Sequence, residues 1–155
     1  MEDQENYRKA ERLSDLTLGL VGCCQSKQEE IAERAHLSVS EFKCLRAFRR
    51  DTEMSVKDIA FRMHLTSSRL TRIIDGLVKK RFVTRHIDPD DRRIINVRLT
   101  KQGEIVARKV TADCIHVYEQ VLGMLQPKDH DRIILAVSEL ADTMHIRTTF
   151  VEEYS

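Results

Sequence analysis

Apolar residues recur at three- and four-residue spacings through most of this chain, a period that predicts helices. Leu13, Leu16, Leu20, Cys24, Ile31 and Ala35 share one such stripe, giving a long first helix over 6–35. Ser38 with Glu41 forms a capping box, opening a helix that carries Phe42, Leu45 and Phe48 on one face. M-S-V at 54–56 is either a strand fragment or the lead into a helix over 56–63. Thr66 is placed as the N-cap of a helix from 67 to about 80. Thr100 caps a further helix, 101–125, with Val106, Val110, Cys114, Val117, Val121 and Leu125 as a continuous apolar stripe. Pro127 suits the first turn of a last helix, where Ile133, Ile134, Val137, Leu140, Ala141 and Met144 continue the pattern.

The helical period breaks once. V-T-R-H-I (83–87) and I-I-N-V-R-L (94–99) are rich in β-branched residues, which favour a pleated surface. D-P-D-D-R-R lies between them, and Pro89 would remove a ladder donor inside a strand, so Asp88–Asp91 is the turn. The expected element is a β-hairpin whose tip carries Arg92 and Arg93. Taken alone, that tip reads equally well as a solvated, self-neutralising loop.

Composition changes the picture only through its distribution. The chain has 155 residues, enough for one domain, and a formal net charge of +1. Residues 61–101 nevertheless hold eleven Lys/Arg against four Asp, a net of +7, so the remainder carries −6. One basic block in a neutral chain points to a polyanion. Four cysteines (23, 24, 44 and 114) in a chain this size do not make a disulfide scaffold, and no C-x-x-C occurs. No run approaches the length of a membrane span. L-V-G-C (20–23) imitates a lipoprotein cleavage site, but acids outnumber bases in the segment before it, so a cytoplasmic protein is expected.

The helices at 56–63 and 67–80 are joined by His64-Leu65-Thr66, the short connection of a helix-turn-helix. On the second, Leu70, Ile73, Ile74 and Leu77 face inward. Ser68, Arg72, Asp75 and Lys79 face outward, with Arg69 and Thr71 at the margins. Serine and threonine can bond base edges and phosphates, and arginine can take guanine bidentately. An ordinary amphipathic helix with a solvated face would look much the same. A hairpin directly after the motif favours the nucleic-acid reading, because an arginine at a wing tip can enter a narrow minor groove. Asp91, two residues before Arg93, is placed to orient it.

From about Met54 to Lys109 the sequence resembles the MarR family of winged-helix transcription regulators. The resemblance rests on L-T-S-S-R-L-T-R (65–72), L-V-K-K (77–80), D-x-R (91–93) and L-T-K-Q-G (99–103). It implies a mainly α fold: a winged helix-turn-helix with a small β-hairpin wing, flanked by N- and C-terminal dimerisation helices. One domain over 1–155 is expected, with 6–37 and 101–150 for dimerisation and 38–100 as the DNA-binding lobe. It further implies a homodimeric repressor of double-stranded, pseudo-palindromic operator DNA. By position, Ser67, Ser68, Arg69, Thr71 and Arg72 would meet the major groove or its phosphates, and Arg93, held by Asp91, would enter the minor groove; Lys79 on the outward face of the helix and Arg92 at the hairpin tip complete the candidate DNA contacts. Two departures stand out. Arg81 occupies a position that is usually glycine, and Gly76 one that often carries a longer polar or basic residue.

Members of the family commonly release DNA on binding a phenolic or other small molecule, or on cysteine oxidation. The resemblance therefore implies a small aromatic effector, with a redox switch as the alternative. Ser14 falls where peroxide-sensing members carry their cysteine, which leaves Cys23 as the redox candidate because reactivity requires access. Zinc held by His36, Glu41, His116 and Cys114 is a weaker alternative, since residues two apart on a helix do not face together. No cofactor is expected. An enzyme finds no support, as phosphate-loop, nucleophile-elbow and metal-ligand motifs are absent. A winged helix that binds protein rather than DNA is the rival from another class, and it would not need Asp91 and Arg93 at the tip.

Overall fold

Short-range contacts at the helix ends set much of the chain's course. In the computed structural model, which describes residues 2–152 and the side chains of 3–144, the order is as follows. Helix α1 spans Glu2–Arg34, α2 Val39–Ala47, strand β1 Glu53–Ser55, α3 Val56–Met63 and α4 Ser67–Lys79. Strands β2 (Val83–Ile87) and β3 (Ile95–Leu99) follow, then α5 (Lys101–Met124), a 3-10 turn at Pro127–Asp129 and α6 (His130–Glu152). The fold is mainly helical with one small antiparallel sheet. Met1 and 153–155, included in the expected domain bounds, lie outside the described residues.

The expected capping box is present: Glu41 N donates to Ser38 Oγ at 3.2 Å, and Ser38 N to Glu41 Oε2 at 2.8 Å. Ser55 caps α3 through Asp58 N at 3.0 Å. Met54 resolves as a strand residue rather than a helix lead. β1 pairs with β3 (Glu53↔Arg98, Met54↔Val97), which pairs with β2 (Val83↔Leu99, Ile87↔Ile95), giving the order β1-β3-β2.

Helices α1, α3 and α4 end without glycine. His36, His64 and Arg81 take left-handed φ angles of 54, 52 and 60° just past these three helices. Each end carries the two bonds of a Schellman motif; at α4 these are Arg81 N to Val78 O (2.9 Å) and Phe82 N to Leu77 O (3.0 Å). Arg81 therefore adopts the conformation that glycine would supply, at a steric cost.

The chain divides into two compact units, residues 1–115 and 116–155. In the first, Phe42, Leu45, Phe48, Ile59, Leu70, Ile74, Leu77, Val83, Val97 and Val110 are fully buried, so α2, α3, α4 and the sheet share one core. Of the α1 stripe, only Ile31 is buried, while Leu13, Leu16 and Leu20 remain exposed. In the second unit, Pro127 opens a 3-10 turn rather than α6 itself. Asp129 N closes that turn on Gln126 O at 2.8 Å, and α6 begins at His130. Ile134, Leu135, Val137 and Met144 on α6 are exposed.

Candidate nucleic-acid interface

Helix α4 presents two faces of opposite character. Leu70, Ile74 and Leu77 are buried, whereas Ser67, Ser68, Arg69, Thr71, Arg72 and Lys79 are all exposed. Thr66 has the backbone of an N-cap but makes no capping hydrogen bond; its hydroxyl lies 3.2 Å from that of Ser68. The first N–H groups of α4 are therefore open to an external acceptor, as a phosphate would be. Thr71 Oγ1 donates to Ser67 O at 2.9 Å, which leaves its lone pairs for an incoming donor.

Asp75 would repel a phosphate, yet it does not stand alone. Arg85 on β2 donates through Nη2 to Asp75 Oδ1 at 2.6 Å and to Thr71 O at 3.0 Å. That bridge neutralises the acid and ties β2 to α4. The role of Arg85 is not legible in the sequence, because its partners lie 10 and 14 residues away on a different element.

The hairpin tip is built on Asp88. Its Oδ1 accepts from Asp90 N (3.0 Å) and Asp91 N (3.1 Å), and its Oδ2 from Asn96 Nδ2 (2.9 Å). Those backbone N–H groups hold the Asp88 carboxyl below the usual range. Asp91 then grips Arg93 as expected: Nε to Oδ1 and Nη2 to Oδ2, both at 3.1 Å, with Arg93 N also on Oδ1 at 3.0 Å. The Arg93 side chain bonds lower the Asp91 pKa, and the carboxylate raises that of Arg93. Arg93 remains 91 % exposed although oriented. Arg92 beside it is exposed too.

One position corrects the expected outer face. Gly76 does not mark a lost outer contact, because it faces α2: a Cβ there would sit 2.5 Å from Glu41 Oε1. Lys80, though exposed, reaches back to α2 and the loop before it, donating to Glu41 Oε2 at 2.6 Å and to His36 O at 2.8 Å. Burial raises the Glu41 pKa, but the bonds from Lys80 and Ser38 outweigh it and the net direction is down. On the sheet, Glu53 joins Arg98 (Oε2 to Nε, 2.8 Å) to His86 (Oε1 to Nε2, 2.5 Å), a brace across all three strands that sequence spacing does not announce.

The L-T-K-Q-G run closes the wing. Thr100 Oγ1 donates to Arg81 O at 2.7 Å and accepts from Gly103 N at 3.0 Å, confirming its place as a cap. Gly103 packs so tightly that a Cβ would lie 1.8 Å from Phe82 O.

Cys23 is exposed, whereas burial pushes the Cys44 thiol up to about 12 and raises that of Cys114. No group of three His, Cys, Asp or Glu side chains among the described residues is placed to hold a metal. No described helix is long and apolar enough to cross a membrane.

Residues 37–95 match the MarR family. The chain is similar to the HTH-type transcriptional repressor MdtR of Bacillus subtilis, at 27% identity over 120 residues, covering 76% of this chain and 77% of the relative. Its fold matches that of a MarR family protein from Bacillus stearothermophilus (TM-score 0.78, 18% identity, 89% and 96% of the two chains). It also matches Bordetella bronchiseptica BpsR, whose DNA binding is regulated by 6-hydroxynicotinic acid (TM-score 0.69, 19% identity, 83% and 92%).

Proposed function

We propose that this chain, whose residues 37–95 match the MarR family, is a sequence-specific, homodimeric transcriptional repressor released from its operator by a small aromatic effector. Its relatives and fold are those of regulators, not enzymes. Its site of action would be the cytoplasm.

The observation that carries the DNA reading is the Asp91–Arg93 clamp, which holds a fully charged, exposed guanidinium at the tip of the hairpin. A narrow minor groove is the receptor such a group fits. Ser67, Ser68, Arg69, Thr71, Arg72 and Lys79 would meet the major groove, and Arg92 the flanking phosphates. Exposed Leu13, Leu16 and Leu20 on α1, with Ile134, Val137 and Met144 on α6, supply apolar surface suited to a second copy. The two half-sites would then lie about 10–10.5 base pairs apart.

The test is anisotropy of labelled duplexes, chosen by selection from random DNA, at fixed salt. Arg72→Ala should cost roughly 1–3 kcal/mol and relax preference within each half-site. Arg93→Ala should weaken binding and flatten the preference for flanking A·T pairs while sparing the core preference, and Asp91→Ala should do so more weakly. If Arg93→Ala and Asp91→Ala bind every duplex like the parent protein, the tip is a solvated turn.

Effector release is supported by the regulation of BpsR by an aromatic hydroxy acid. The redox alternative rests on Cys23, the exposed thiol of the four. Peroxide should then release DNA from the parent protein but not from Cys23→Ser; equal responses remove that alternative.

A further inference from the structure

Between the hairpin and the helix-turn-helix runs an open cleft of about 700 Å³. One wall is the end of the hairpin, with Arg93, Ile94, Ile95 and Asn96. The other is the first turn of α3, Val56, Lys57 and Asp58, with Ser67 at the start of α4. Strand β1 lies between the walls, because Ser55 pairs with Asn96 and the chain then turns directly into α3. The cleft thus separates the two parts of the proposed DNA interface, the recognition helix and the Arg93 tip.

Its lining restricts what it accepts. Ile94 and Ile95 are 40% and 45% exposed, and Ile87, opposite Ile95 in the hairpin register, is exposed too. Single surface isoleucines need no explanation, but three at one end of a hairpin make an apolar patch that favours an apolar partner. A free anion is not that partner, since Glu53, Asp58 and Asp88 line the cleft against Lys57 and Arg93. These carboxylates are already engaged: Glu53 by Arg98 and His86, Asp58 by Ser55 Oγ at 2.7 Å, and Asp88 by two backbone N–H groups. The two walls differ in character. The helical wall offers the exposed Lys57 and Ser67 and the uncapped N-terminus of α4, which suit a phosphate, whereas the hairpin wall offers isoleucine. A phosphate joined to an apolar sugar face meets both.

We infer that this cleft holds the sugar–phosphate backbone of one strand where it divides the groove read by α4 from the one entered by Arg93, and that Ile94 and Ile95 select deoxyribose over ribose. The inference rests on the DNA reading. With a phosphate at Ser67 and Lys57, the minor-groove edge of the sugar is turned to the hairpin wall. A deoxyribose carries only hydrogens at C2′ and packs against isoleucine without loss. A 2′-hydroxyl in that place gives up its bonds to water and finds no partner. No charge takes part in the sugar contact, so its strength is independent of salt.

Anisotropy of the full chain on a selected operator duplex, with single deoxynucleotides replaced in turn by ribonucleotides, tests this without any protein variant. At one or two positions in each half-site, between the core and the A·T flank, ribose should weaken binding about tenfold. A 2′-fluoro sugar at the same positions, with the pucker of ribose but no hydroxyl, should bind like deoxyribose. The Ile94→Ser, Ile95→Ser double variant, altered only at exposed positions, should weaken the all-deoxy duplex about tenfold. It should also erase the ribose penalty and leave the slope of affinity against salt unchanged. A flat ribose scan overturns the inference, and so does a 2′-fluoro penalty equal to that of ribose, because sugar pucker is then the cause. A double variant that keeps the ribose penalty, or that lowers the salt slope, overturns it as well. A chain that binds no duplex at all refutes the DNA reading itself, before any ribose is introduced.

Discussion

Gly103→Ala is the sharpest single test of how the wing is fastened to the rest of the lobe. Helix propensity favours the change, since alanine in a helix interior is worth about 0.8–1 kcal/mol over glycine. Packing opposes it. The new Cβ would lie 1.8 Å from Phe82 O, where ordinary contact begins at 3.4 Å, so the two backbones must separate by roughly 1.6 Å. Neither side can yield cheaply. Phe82 O accepts from Thr100 N at 3.0 Å, and Gly103 N is bonded to Thr100 Oγ1 at 3.0 Å. Overpacking of a fixed site costs typically ~1–3 kcal/mol, and here the obstacle is backbone, so the upper end applies and exceeds the propensity gain. A net loss of about 2 kcal/mol should lower the melting temperature by about 4–8 °C for a chain of this size. Urea and thermal denaturation at fixed protomer concentration would measure it. Gly22→Ala is the control, because a Cβ at that position would meet no atom within 4 Å. A Gly103→Ala protein as stable as the parent would refute the argument that this close approach locks α5 to the wing.

Arg81→Gly should stabilise the protein by about 0.5–1 kcal/mol, because glycine removes the left-handed strain at φ 60° but is more flexible when unfolded; urea denaturation checks it. Asp88→Ala should unfasten the wing tip, lowering hydrogen-exchange protection at Asp90 and Asp91, whose N–H groups it accepts, while leaving α4 protected. The Glu41 carboxyl has its pKa lowered in the folded chain, so its stabilising contribution is complete above its ordinary value of 4.5 and is lost as pH falls through the folded pKa. Glu41→Gln should accordingly show a shallower fall in stability on acidification, read as the pH dependence of the urea midpoint.

Local information was sufficient for most of the course of the chain. Helix periods placed α1 to α6 within a few residues, because an apolar face on a helix leaves a 3.6-residue imprint whatever it packs against. The Ser38–Glu41 box and the Thr100 cap were legible for the same reason: both partners lie within three residues. So was the Asp91–Arg93 clamp, a contact inside one turn.

Tertiary structure decided what depends on elements distant in sequence. Three residues of β1 have too little period to declare a strand, and only pairing with β3, more than forty residues later, makes them one. Gly76 reads as an outer position, but α2 lies beside it, and Lys80 next to it is paired with Glu41 of that helix. Arg85 is one more wing cation until Asp75 and Thr71 come within its reach. An open groove lined by Gln28 of α1, Phe42 and Lys43 of α2, Arg49 just after that helix and Arg62 of α3 is likewise brought together only by packing. Sequence thus determined each element and the contacts within a turn, whose partners chain connectivity keeps close at little entropic cost. Contacts between elements depend on which faces meet in the core, and that is set only when the chain packs.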